Sequence, residues 1–151
     1  MTVTAHTHNE TQRVGERIGR RLAPGAILLL VGPLGAGKTT LAKGIARGLG
    51  VTETVTSPTY TIVSDYEGRL PLHHIDLYRI AGREEYELLG LDELLYADAV
   101  SLVEWPERAG EAIPDATATV KIDIRPDGAR LITAPDALLA PDPDGAAAEG
   151  P

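Results

Sequence analysis

A chain of 151 residues with 43% hydrophobic content is the size of one domain and can bury a core. It has no cysteine, which excludes disulfides and thiol chemistry, and its longest apolar runs are too short to span a bilayer. A net charge of −8 argues against a protein that holds bare DNA or RNA through a basic field, so service to RNA is expected to run through a partner.

Residues 1–10 are polar, lack the apolar centre of a signal peptide, and read as a flexible N-terminus of a cytoplasmic protein. Thr11 to Leu22 carries Val14, Ile18 and Leu22 on one helical face, with Asn9 or Thr11 as cap and Pro24-Gly25 as terminator. Ala26 to Val31 is a continuous apolar run, the pattern of a buried strand. Beyond it, Leu41, Ile45 and Leu49 recur at helical spacing, and Gly50 is a natural stop. Thr52 to Thr59 reads as an extended or loop segment. Tyr60 to Tyr66 and Leu70 to Leu77 read as strands around a Glu67-Gly68-Arg69 turn. Short helices are expected at Arg83 to Leu89 and Asp92 to Tyr96, and a second buried strand at Ala99 to Val103. Ala118, Val120, Ile122 and Ile124 alternate with polar residues, and Asp127-Gly128 turns the chain into a last strand, Arg130 to Thr133. From Ala134 the chain is rich in Ala, Pro, Gly and Asp and reads as a disordered acidic tail. The expectation is a single α/β domain over residues 11–133, a P-loop NTPase-like mixed β-sheet flanked by helices.

The most specific segment is Gly32-Pro-Leu-Gly-Ala-Gly-Lys-Thr39, which has the G-x-x-x-x-G-K-[ST] spacing of a nucleotide phosphate loop. Its context is a buried strand ahead and a helix behind, as the chemistry requires. Glycines let successive N–H groups converge on phosphate, and the helix N-terminus adds its dipole. Lys38 would reach the β- and γ-phosphates and the Thr39 hydroxyl would ligate Mg²⁺. An ordinary glycine turn accounts for neither the motif nor its setting.

Other candidates surround that loop. Glu104 ends an apolar strand, where an acid orients Mg²⁺ and its waters. Asp76, near the end of another strand, either handles a metal-bound or attacking water, or pairs with Arg79 or caps a turn. Ser57 or Thr59 either senses the γ-phosphate or belongs to a β-turn. His73 and His74 read as structural, with no cysteine or matching histidine nearby to complete a metal site. Asp65-x-x-Gly68 matches a GTPase pattern but falls in the expected hairpin turn. The guanine-reading N-K-x-D is impossible because Asn9 is the sole asparagine, so adenine is the expected base.

Gly32 to Thr40, Ser57-Pro-Thr-Tyr60, His74-Ile-Asp-Leu-Tyr-Arg79 and Glu104-Trp-Pro-Glu107 together resemble the small bacterial TsaE (YjeE) ATPases of tRNA threonylcarbamoyladenosine synthesis. The resemblance covers about Thr11 to Thr133. Pro33 departs from it, standing where the family usually has an acid, and the acidic tail is extra. The resemblance implies a Mg²⁺-dependent ATPase that resets a complex of two larger proteins between turnovers and meets tRNA only indirectly. Neither DNA nor membrane is an expected partner. It implies that Gly32, Pro33, Leu34, Gly35, Ala36, Gly37, Lys38, Thr39 and Thr40 hold phosphates, while Thr39 and Glu104 serve Mg²⁺. Thr59 lies in the switch-like segment and Asp76 in the catalytic neighbourhood with Lys38 and Glu104. Thr11 and Arg130 flank adenine, and Trp105 contributes to nucleotide binding or partner docking. A small-molecule kinase and a nucleotide-gated assembly switch are the competing readings. The kinase lacks support from an arginine-rich lid, since Arg108 stands alone after the second buried strand.

Overall fold

Ile27-Leu-Leu-Leu-Val31 has no polar residue to turn toward water, so its place is the interior of a sheet. The computed structural model, which describes residues 1–56, 62–95, 98–110, 112–113 and 116–141, puts it there. The strands are β1 (Thr2–Ala5), β2 (Ile27–Val31), β3 (Val63–Tyr66), β4 (Leu72–Asp76), β5 (Val100–Glu104), β6 (Ala118–Ile124) and β7 (Arg130–Thr133). They form one seven-stranded sheet in the order β1-β7-β6-β2-β5-β4-β3. The central strands β6, β2, β5 and β4 are parallel neighbours, and β7, β1 and β3 join by antiparallel pairing. The helices are α1 (His8–Arg20), α2 (Lys38–Gly48), α3 (Arg83–Leu88), α4 (Asp92–Leu95) and α5 (Asp136–Leu139), with a 3₁₀ turn at Pro106–Ala109. This is the expected mixed sheet with flanking helices. Among the described residues no helix is long and apolar enough to cross a membrane.

Two cores lie on opposite faces. Val14 and Ile18 of α1 and Leu41 and Ile45 of α2 pack on Leu28, Leu30, Leu102 and Val120. On the other face Tyr86, Leu91 and Leu95 cover Ile27, Ile75 and Val103. The alternation along each strand supplies both sets, since successive side chains point to opposite faces.

α1 and α2 touch backbone to backbone because glycines face each other. A Cβ at Gly44 would stand 2.2 Å from the Gln12 carbonyl oxygen, and one at Gly19 would stand 2.2 Å from that of Ile45. Gly44→Ala gains about 1 kcal/mol of helix propensity. The clash is with backbone, which no rotamer change relieves, so the helices must separate. We expect the clash to win, with a net loss of about 1–3 kcal/mol, read as a lower urea midpoint. The close approach also fixes the N-terminal ends of both helices side by side at one edge of the sheet.

Both chain ends differ from the sequence reading. Residues 1–10 are not a loose end: β1 pairs with β7 from Thr2↔Thr133 to Ala5↔Arg130. α1 starts at His8, with Thr7 rather than Asn9 or Thr11 as cap. The Thr7 hydroxyl accepts from Glu10 N–H at 3.1 Å, and the Glu10 carboxylate accepts from Thr7 N–H at 3.2 Å. Thr7-x-x-Glu10 is a capping box legible in the sequence. At the other end, the fold continues beyond Thr133. Ala134, Leu138 and Leu139 join the core beneath α1, and Arg17 donates to the Leu139 carbonyl. One turn of helix is too short to show periodicity, which is why composition misassigned it. Truncation after Thr133 is therefore expected to cost about 3–6 kcal/mol, the burial of two leucines. Truncation after Pro141 removes no large apolar side chain and should leave the denaturation midpoint near that of the full chain.

Candidate functional site

β2 brings the chain to Gly32 at the C-terminal edge of the parallel strands, and α2 takes it away from Lys38. The loop between them requires its glycines. A Cβ on Gly32 would lie 2.4 Å from the Ile122 carbonyl oxygen of β6. Gly35 and Gly37 adopt φ of +80° and +104°, which side chains with a Cβ resist. Gly37 precedes α2 and has no side chain to cap it, so the first N–H groups of an eleven-residue helix face the loop without a side-chain acceptor. Ala36 is buried, whereas Pro33, Leu34 and Gly35 project outward, Leu34 with 73% exposure. Thr39 and Thr40 are half-buried.

Lys38 is turned inward and only 5% exposed. Its Nζ donates to the Gly32 carbonyl at 2.7 Å and lies 3.4 Å from the centroid of the Trp105 ring. Burial lowers its pKa below the ordinary lysine value, opposed by the negative charges of Glu104, Glu107 and Asp76. A desolvated cation beside a glycine loop and an uncapped helix end suits an incoming anion.

Glu104 closes β5 next to β2, pairing in register with Leu30 on that side and Asp76 of β4 on the other. Two carboxylates thus share one sheet edge on adjacent strands. Glu104 is 3% exposed, and its Oε2 lies 2.5 Å from His74 Nε2. Asp76 Oδ1 accepts from the Tyr78 N–H at 2.9 Å, the turn-capping role among its two readings. Trp105, directly after Glu104, is the sole non-glycine residue with positive φ among those described, at φ 56°. That conformation costs about 1–2 kcal/mol. It swings the indole over Lys38 and against Tyr78, whose ring centroid is 4.9 Å away. Arg108 lies over the other aromatic, its guanidinium carbon 5.5 Å from the Tyr78 centroid.

A second compartment opens beside the loop. His6, Thr7, His8, Thr11, Ala36, Gly37, Thr40, Gly128 and Arg130 line a pocket of about 130 Å³ that is open to solvent. Arg130 braces its wall, its Nε donating to the Ala36 carbonyl at 2.8 Å. His8 Nδ1 lies 3.3 Å from the Thr40 hydroxyl.

Residues 5–132, most of the chain, match the family model described as threonylcarbamoyl adenosine biosynthesis protein TsaE. The chain belongs to the TsaE family. It is 41% identical over 133 residues to the tRNA threonylcarbamoyladenosine biosynthesis protein TsaE of Treponema pallidum, covering 88% of this chain and 98% of that one. To the protein of the same name from Bacillus subtilis it is 44% identical, over 82% of this chain and 78% of the relative. The crystal structure of Bacillus subtilis YdiB superposes with a TM-score of 0.78 at 37% identity, covering 89% of this chain and 83% of that one.

In this TsaE-family fold the sequence-derived candidates divide into two groups. Lys38, Thr39, Glu104, Asp76 and Trp105 surround the loop at the strand ends, while Thr11, Thr40 and Arg130 line the adjoining pocket. Thr59, with Ser57, falls outside the described residues. His73 and His74 part company. His73 lies on the partly exposed side of β4, with Nδ1 2.6 Å from Asp65, while His74 is fully buried against Glu104. The sequence reading missed His74, His8 and Gly128 as neighbours of the site. The alternation His73-His74 in a strand was a signal that one of them points inward. Nothing in sequence links residue 8 or 128 to residue 36.

Proposed function

We propose that this chain is a cytoplasmic Mg·ATP-binding and hydrolysing P-loop ATPase. It serves tRNA threonylcarbamoyladenosine synthesis with two larger proteins and resets their complex between turnovers. The observation that carries this reading is the buried, desolvated Lys38 between an uncapped helix N-terminus and the Glu104 carboxylate. Such a constellation recognises polyphosphate with its divalent cation. The donor set fits magnesium: Thr39 and Glu104 offer hard oxygens, and Mg²⁺ prefers few protein ligands, keeping water and phosphate oxygens for the rest. When bound, Mg²⁺ would neutralise charge on the phosphate oxygens.

The chain's own residues then divide the work. The backbone N–H groups of residues 35–40 and the Lys38 ammonium hold phosphates. Thr11 and Arg130 flank the base in the pocket beside the loop. Glu104 accepts the metal or its waters, and Asp76, one strand over, orients the attacking water. Trp105 releases Lys38 toward the phosphates and keeps the site dry on one side. No described guanidinium is placed against the loop except that of Arg130, which is occupied with carbonyls of the loop. Slow hydrolysis alone, accelerated by partners, follows from that arrangement. Acidic overall charge favours contact with tRNA through those partners.

The test is multi-turnover threonylcarbamoylation of tRNA by the two larger proteins, with and without this chain. Repeated turnover is expected with the unmodified chain and a single round without it. Equal turnover in both arms would overturn the reading, and equal turnover together with phosphorylation of a metabolite by this chain would replace it with the kinase alternative.

A further inference from the structure

His74 is 0% exposed, inside a core of Leu72, Leu102 and their neighbours, where an apolar side chain would leave no polar atom to satisfy. Its one hydrogen bond among the described residues is the 2.5 Å contact of Nε2 with Glu104 Oε2, and Nδ1 has no partner there. A buried imidazole with one nitrogen unsatisfied is a cost to the fold. What it does in return is specific to one carboxylate.

The strand register explains the aim. His74 pairs with Leu102, and Asp76 with Glu104, so His74 sits one pleat deeper than Glu104 on the same face of the sheet. From there the ring reaches forward and donates its Nε2–H to Oε2, while Oε1 has no hydrogen-bond partner among the described residues. A glutamate has three side-chain torsions, and this is the one hydrogen bond described on the carboxylate; the charge of Lys38 attracts it through space but fixes no torsion.

We infer that His74 is a positioning residue: it fixes the Glu104 carboxylate in the orientation from which Oε1 serves Mg²⁺ beside the phosphate loop. The inference rests on the Mg·ATP reading above. Outer-sphere partners of metal ligands act in this way, and their loss reduces metal affinity or activity about 10–100-fold.

The test measures ATP affinity by calorimetry with chelator and with excess Mg²⁺, on the full chain and on His74→Leu, His74→Gln and His74→Asn. A glutamine amide nitrogen reaches the place of Nε2, and an asparagine amide falls short of it. Magnesium-free ATP should bind all four alike. His74→Leu and His74→Asn should lose most of the Mg²⁺-dependent gain in affinity, at least tenfold, while His74→Gln retains it. An unchanged gain in every variant overturns the inference. So does equal loss in folded Gln and Asn variants, or unfolding of both, since either marks a packing role. If His74→Leu does not fold, the Gln–Asn contrast decides. A wild-type chain that binds ATP no better with Mg²⁺ removes the metal role of Glu104 and this inference with it, leaving the phosphate loop standing. A chain that binds no ATP at all removes both.

Discussion

Lys38→Ala is expected to weaken Mg·ATP binding by at least an order of magnitude while leaving the protein folded. A charge-assisted contact to phosphate is among the stronger polar interactions, and the N–H groups that remain at the loop carry only partial charges. Lys38 is also the one lysine turned into the site: Nζ already lies against the Gly32 carbonyl, and the side chain is buried. Loss of affinity through unfolding is separable from loss of the cation. Burial lowers the pKa of Lys38 in the folded chain, so between the folded value and the ordinary lysine value the unfolded chain holds more protons. Stability from this residue therefore rises with pH across that window, and at neutral pH the buried cation is a cost. The alanine variant removes that cost along with the Gly32 and Trp105 contacts, so thermal unfolding of the free protein should show a native-like cooperative transition. Calorimetry showing wild-type affinity in a folded variant would remove the phosphate-loop assignment. Guanosine triphosphate should compete poorly with ATP, and equal competition would contradict the assignment of the base pocket.

Glu104→Ala should act on hydrolysis far more than on nucleotide binding. A carboxylate that places a metal or its waters counts most as charge shifts in the transition state, so its removal is expected to lower kcat about 10²–10³-fold. Affinity for ATP should fall less, because the loop and Lys38 remain. In this variant His74 loses its acceptor within a buried environment, which is expected to cost about 1–3 kcal/mol of stability. Glu104→Gln, which keeps an oxygen to accept from His74, should lose turnover with less loss of stability. Asp76→Ala separates the readings of its neighbour: turnover measured with partners should fall if Asp76 orients water. A folded Asp76→Ala variant with full turnover would assign Asp76 to the Tyr78 turn that it caps.

Much of this fold was legible because its signals are local. Ile27 to Val31 is apolar throughout and could only be interior. β6 and β7 appear at Ala118–Ile124 and Arg130–Thr133, as the alternation and the Asp127-Gly128 turn indicate. The hairpin at Asp65-x-x-Gly68 is likewise local, with Tyr66 paired to Leu72 across it. The boundaries shifted where competing local signals were weak. β4 is Leu72–Asp76 rather than Leu70 to Leu77, and β5 starts at Val100 rather than Ala99. Asp92–Leu95 is described as helix, and Tyr96 lies outside the described residues.

By itself the sequence determined the glycine loop at Gly32–Gly37, the strand that feeds it and the helix that leaves it. Glycine spacing, a run of apolar residues and a helical period are all properties of neighbouring residues. It also named Glu104 and Asp76 as strand-end acids, since each follows an apolar segment. Only the tertiary structure decided what stands beside what. The pairing of β4 with β5 brought His74 under Glu104, and the left-handed turn at Trp105 laid its ring against Lys38. Backbone contact between Gly19 and Gly44 and their partner helices set Thr11 next to Thr40, and the return of β7 placed Arg130 against the loop. Chain separation hides such contacts from any local pattern, because the interactions that create them are formed only when the sheet closes over its two cores.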